Sequence, residues 1–110
     1  MNKPTPGPWI ADLRTGCCAI YPASRVDDTP GCLPNDDRNI HFSRKGSEYK
    51  ENDGWTMDAE AQANAALIVA AVNACFKGNP DNPLAVAEVL PELIEAAQKF
   101  IVKAKIEAKP

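Results

Sequence analysis

Between residues 59 and 76 the chain carries neither glycine nor proline, and alanines with Leu67, Ile68, Val69 and Val72 surround it almost completely. A segment so rich in alanine and free of breakers favours helix, because alanine gives up no side-chain entropy on ordering. Thr56 or Asp58 can cap its start, and Glu60 in the first turn suits the positive end of the helix dipole. Lys77-Gly78-Asn79-Pro80 then supplies a cation in the last turn, a glycine for a left-handed C′ position and a proline stop. Turning the wheel by ~100° per residue sets Asn64, Ile68, Ala71 and Cys75 on one line and Asn73 nearly opposite. A helix apolar all round needs both faces covered, one by a sheet and the other by the last helix or a neighbouring subunit. Its two asparagines also need partners, since an unmade buried amide bond costs ~1–3 kcal/mol. Either they tie down loop backbone, or one of them reads the edge of a ligand.

After this helix, Asn82-Pro83 is an N-cap followed by an N1 proline and opens a short second helix. Pro91 ends that turn and becomes the first residue of a third helix running to about residue 107. Its inward face is Leu90, Leu93, Ile94, Ala97 and Ile101, and its outer face is Glu92, Glu95, Gln98, Lys99 and Lys103.

The first half has a different periodicity. Thr5-Pro6-Gly7-Pro8 forbids helix, and Trp9-Ile10-Ala11-Asp12-Leu13 alternates as a half-buried strand does. A turn at Arg14-Thr15-Gly16 returns the chain through an apolar strand at 17–21, so residues 8–21 read as a hairpin. Residues 22–38 hold three prolines, a glycine and four aspartates, and form a long loop of the kind used for binding or left disordered. A third strand follows at 39–44, then a polar stretch in which Tyr49 pins a short strand, a turn at Asp53-Gly54, and Trp55 at the junction with the helices. The fold class is therefore α+β: a short N-terminal antiparallel β-sheet packed against two or three C-terminal α-helices. One domain spans 1–110, with 1–55 β-rich and 56–110 helical.

Composition narrows the function. A net charge of −3 with interleaved signs lacks the basic face that duplex DNA requires. No long signal-type or membrane-spanning run is evident, which points to the cytoplasm and reduced thiols at Cys17, Cys18, Cys32 and Cys75. Large apolar side chains are few, so the core gains from burying further surface against copies of itself, and a homo-oligomer is expected. No catalytic motif, cofactor fingerprint or metal-ligand spacing appears. A metal or hydrolase reading would have only Cys17, Cys18 and His41 to draw on.

All four arginines, Arg14, Arg25, Arg38 and Arg44, lie in the first half, where their planar forks suit phosphate. Trp55 and Phe76 flank the first helix and are the aromatics least committed to a core; either can stack on a base. With Asn64 and Asn73 they complete the expected ligand-binding set. Asp27, Asp28, Asp36 and Asp37 make the long loop acidic, and a rival reading uses them to block a host protein.

The order Thr5-Pro6-Gly7-Pro8-Trp9, Asp53-Gly54-Trp55, Glu60-Ala61-Gln62-Ala63-Asn64-Ala65-Ala66-Leu67-Ile68, Ala71-Val72-Asn73-Ala74-Cys75 and Pro91-Glu92-Leu93-Ile94-Glu95-Ala96 resembles a widespread family of small phage and prophage proteins. That family has a T-P-G-P-W start, a variable β region and an E-A-x-A-N-A-x-L-I helix, usually with arginine where this chain has Ala66. More distantly the layout is similar to the first Thoeris anti-defence protein of phages, a sheet followed by helices. That resemblance implies an oligomeric, non-catalytic sponge for cyclic ADP-ribose-type signals or cyclic oligonucleotides in the bacterial host cytoplasm. Arginines would meet phosphates, aromatics the bases and amides the base edges.

Overall fold

The computed structural model describes residues 3–31 and 33–107; Cys32, one of the four expected thiols, lies outside them. Strand β1 (Trp9–Asp12) pairs antiparallel with β2 (Cys18–Pro22), Ile10 opposite Tyr21 and Asp12 opposite Ala19. This is the expected hairpin, turned at Gly16 with φ 75°. Glycine is needed there twice over, because a Cβ would also meet the Trp55 carbonyl carbon at 2.6 Å. Strand β3 (His41–Ser43) adds to the far edge of β2, giving the order β1-β2-β3.

A second sheet, β4 (Ser47–Lys50) with β5 (Gly54–Met57), departs from the expectation of a single sheet. Gly54 takes φ 72° and the Asp53 N–H donates to the Lys50 carbonyl at 3.1 Å, so the Asp53-Gly54 turn closes a hairpin. Trp55 is thus a strand residue, not the junction with the helices.

Helix α1 (Ala59–Gly78) starts where expected: the Asp58 carboxylate accepts from the Ala61 N–H at 2.7 Å. Its end differs. Gly78 remains within the helix and shows no positive φ; the absence of a side chain instead lets Val86 approach, since a Cβ would lie 3.2 Å from Val86 Cγ2. Helix α2 (Pro83–Glu107) is continuous, so the expected short second helix and separate third helix are one element with Pro91 inside it. A proline at that position removes a single bond to the Ala87 carbonyl and leaves the flanking turns to carry the helix.

Strand β2 sits in the middle of three layers. Cys18 and Ile20 face α1, where they form the core with Met57, Ala65 and the partly buried Trp9, Ala11, Leu13 and Ala61. Ala19 and Tyr21 face the other way, and both are fully buried. Their cover is formed by described parts of the long loop, with Gly31 lying against Ala19 and Tyr21 and Arg38 over the Tyr21 ring. Arg14 and Arg38 both donate to the Thr29 carbonyl, and the Gly31 N–H donates to Asp12 at 2.8 Å.

The helical half is less covered than its composition demands. Ala65 is the buried residue of α1, while Leu67 is 70% exposed. The expected inward face of the last helix is not buried either, because α2 meets the body near Val86 and residues 87–103 are all exposed.

Candidate functional site

A cleft of about 270 Å³ opens between β2–β3, the turn after β3 and the first turns of α1. Its floor is apolar, from Ile20, Met57, Ala65 and Ile68; its rim carries His41, Ser43, Lys45, Glu60 and Asn64. Local sequence explains why these groups meet. His41 and Ser43 are two apart on β3 and so share a side, while Ala61, Asn64, Ala65 and Ile68 follow the three-and-four spacing of one helix face. Gly46 joins the two elements: at φ 86° it closes the turn, and its carbonyl accepts the Asp58 N–H at 2.7 Å. A Cβ there would come 2.5 Å from the Ala61 Cβ, so only glycine brings the turn this close to α1.

Four rim side chains, His41, Lys45, Glu60 and Asn64, are exposed and hold no hydrogen-bond partner among the described residues. Of these, Asn64 alone presents a donor and an acceptor together in an amide. Among the described residues its amide has no hydrogen-bond partner, and it lines the cleft. Two other cleft groups are engaged: the Ser43 hydroxyl accepts from the Lys45 N–H at 3.1 Å, and Asp58 holds the helix cap. Burial, with the Asp12 charge second, pushes the Cys18 thiol up, so it enters the cleft as a neutral, weakly nucleophilic group. The cleft thus offers a cation, an imidazole, a carboxylate and a free amide above an apolar floor, a set suited to holding a small planar polar molecule. Among the described residues no three His, Cys, Asp or Glu side chains gather as a metal would require.

The other expected site residues lie elsewhere. Asn73, across α1 from Asn64, accepts from the Trp9 N–H at 2.8 Å and donates to the Trp9 carbonyl at 2.9 Å. It ties down backbone, the first of the two roles open to these asparagines. Phe76 packs against Trp9 with its ring tilted by 58° at 5.7 Å and lies under Gly7, pinning the N-terminal arm to α1. Trp55 is exposed and meets Tyr49 edge-on at 5.5 Å on the second hairpin.

Three of the arginines hold carboxylates of their own chain. Arg14 forks onto Asp12 at 2.7 and 2.9 Å, and Arg38, itself buried, forks onto Asp36 and reaches Asp27 at 3.2 Å. Arg25 pairs with Asp37 at 3.2 Å. Arg38 also lies 4.6 Å over the Tyr21 ring, and Arg44 5.7 Å over Phe42. Arginines and loop aspartates, which from sequence look like two separate binding surfaces, are largely each other's partners. Burial would raise the Asp12 carboxyl, but hydrogen bonds from Arg14, Gly31 and Tyr21 outweigh it and hold it well below the usual carboxylate range. The Arg38 fork, joined by its N–H, lowers Asp36 to about 2.

Sequence reasoning missed Lys45, Glu60 and Ser43 as cleft residues, and weighed His41 only for a metal or hydrolase role. The i, i+2 pair at His41 and Ser43 is a legible signal; their meeting with Asn64 depends on the Gly46 turn. Comparison with protein-family models, with curated proteins and with solved structures finds no match.

Proposed function

We propose that this chain binds a small nucleotide-type signal in the sheet–helix cleft and sequesters it without cleaving it. The observation that carries the reading is the unpartnered Asn64 amide at the rim of an apolar-floored cleft. An amide presents a donor and an acceptor side by side, which is what a base edge requires. Lys45 supplies a phosphate contact in place of Arg14, Arg25 and Arg38, and Glu60 accepts from ribose hydroxyls or an exocyclic amine. A volume of about 270 Å³ is at the lower end for small-molecule sites, enough for one nucleoside unit, so a larger cyclic ligand would project from the mouth.

The resemblance to small phage proteins and, more distantly, to the first Thoeris anti-defence protein supports a setting in the host bacterial cytoplasm. There the signal would be cyclic ADP-ribose-like or a cyclic oligonucleotide. The rival reading, inhibition of a host protein through the acidic loop, is weakened because Asp27, Asp36 and Asp37 already face arginines.

Thermal shift and calorimetry with cyclic ADP-ribose isomers and cyclic di- and trinucleotides test the reading. Binding by at least one ligand, lost in Asn64→Ala and followed by recovery of the ligand unchanged, is expected. No shift with any of them, or turnover of the ligand, overturns it.

A further inference from the structure

Helices α1 and α2 meet where Val86 lies against Gly78, and beyond that contact each carries an uncovered seam. On α2 the seam runs Val86, Leu90, Leu93, Ala97 and Phe100, at steps of four, three, four and three. On α1, followed backwards from the contact, it runs Gly78, Ala74, Ala71, Leu67 and Asn64, at the same steps. That spacing is the one by which two helices pack side by side. Each seam is about 21 Å long at ~1.5 Å per residue, so the two match in length as well. Both are exposed: Leu67 by 70%, Leu93 by 53% and Phe100 by 73%. The α1 seam lies ~140° round the helix from the buried Ala65, away from the sheet.

We propose that α2 is a hinged lid, which closes along α1 about the connection at 79–82 and covers the mouth of the cleft. The structure holds its open state. Size complementarity is the first argument. Outward from Gly78–Val86, the facing pairs are Ala74–Leu90, Ala71–Leu93, Leu67–Ala97 and Asn64–Phe100. At the first four levels a small residue faces a large one, and the order reverses where α1 carries its leucine. The connection is the second argument. Four residues, Asn79 to Asn82, separate the helices, and loops of roughly 2–5 residues join antiparallel helices that pack on each other. Surface is the third. The chain exposes 8109 Å², about 2,200 Å² more than a compact chain of 11.9 kDa. Its radius of gyration is 18.5 Å, against about 13 Å for a compact domain of this length. Closure lowers both.

The cleft opens on one flank of the α1 seam, at Ile68. When the helices lie antiparallel, the flank of α2 that meets it carries Ile94 and Ile101, while Phe100 falls on the other flank over Ala63. Glu88, Glu92, Glu95 and Lys99 stay on the outer face. Ile94 and Ile101 thus close over Ile68, beside Asn64. They exclude water from the Asn64 amide, which strengthens the hydrogen bonds it makes to a bound ligand. The closure of the helices stands on the seams alone; the role of the lid at the mouth rests on the cleft reading above.

The variant Leu67→Cys/Ala97→Cys, both sites exposed and far from the hinge, reads closure in the full chain. Under mild oxidation at low protein concentration, mass and peptide mapping should show a 67–97 disulfide within one chain. No such link, or one formed only between copies, overturns closure. Leu67→Cys/Val102→Cys puts the second thiol on the outer face, and equal linking of this pair overturns the register. Ligand release is the second readout, with cyclic ADP-ribose isomers and cyclic di- and trinucleotides as probes. Ile101→Ala should release the bound probe about 10-fold faster, because the lid loses its apolar contact at the mouth. Unchanged release overturns the lid and leaves the cleft reading standing. A wild-type chain that binds no probe overturns the cleft reading and the lid together, and the 67–97 link then decides closure alone.

Discussion

Strand β2 and helix α2 are the two extremes of this molecule. Residues Cys18 to Tyr21 are covered on both faces, by α1 on one side and the arginine-tied loop on the other. Residues 87–103 of α2, richer in leucine and isoleucine, are covered on none. Apolar content alone therefore does not decide burial; the chain covers a segment only where polar groups can be satisfied around it. Around β2 the Asp12–Arg14–Tyr21 network and the Arg38 fork meet that condition. Along α2 the backbone hydrogen-bonds within the helix, and its apolar face stays uncovered in the chain.

The largest expected effect is at the covered extreme. Asp12→Ala removes the acceptor of Arg14, Tyr21 and the Gly31 N–H at a site 4% exposed, and should cost ~3–5 kcal/mol in urea unfolding. A loss under 1 kcal/mol would break the comparison, placing the stability of the sheet in its apolar contacts. The same network sets an acid limit. Asp12 and Asp36 titrate in the folded chain below the ordinary aspartate value of 3.8, so their stabilisation is full above that value and falls as pH drops. For Asp36 the loss runs from about pH 4 to about 2, and for Asp12 it continues lower. The near-ultraviolet dichroism of Tyr21 should fade over that window.

At the uncovered extreme, Pro91→Ala restores the bond to the Ala87 carbonyl and should stabilise α2 locally by up to about 3 kcal/mol. Slower amide exchange at residues 88–95 would show it; unchanged exchange would mean that Pro91 does not limit the stability of the helix. Between the extremes, the two asparagines of α1 sharpen the contrast. Asn73→Ala leaves the Trp9 N–H and carbonyl without partners and should cost ~1–3 kcal/mol, with altered Trp9 fluorescence. The smallest effect belongs to Asn64→Ala, within about 0.5 kcal/mol, because its amide holds nothing in the folded chain. Equal costs for the two would remove Asn64 from the candidate site.

Much of the architecture was legible from short-range signals. The Asp58 cap, the hairpin about Gly16 and the Asp53-Gly54 turn each depend on residues within a few positions of one another. Of the candidate site, Asn64 was legible as an amide inside an apolar helix that needed a reason, but the residues that surround it were not. His41 and Lys45 reach it only because Gly46 allows the turn to touch Ala61.

By itself, then, the sequence determined the α+β order, the presence of the first hairpin and the start of α1, since backbone preferences, caps and turn glycines act over a turn or less. Tertiary structure decided which asparagine is used up and which is free, through a contact 64 residues apart. It decided that the arginines answer the loop aspartates, that α2 runs through Pro91, and that its apolar stripe is left bare. Those outcomes depend on which side chains from distant parts of the chain reach one another, and no local pattern encodes that distance.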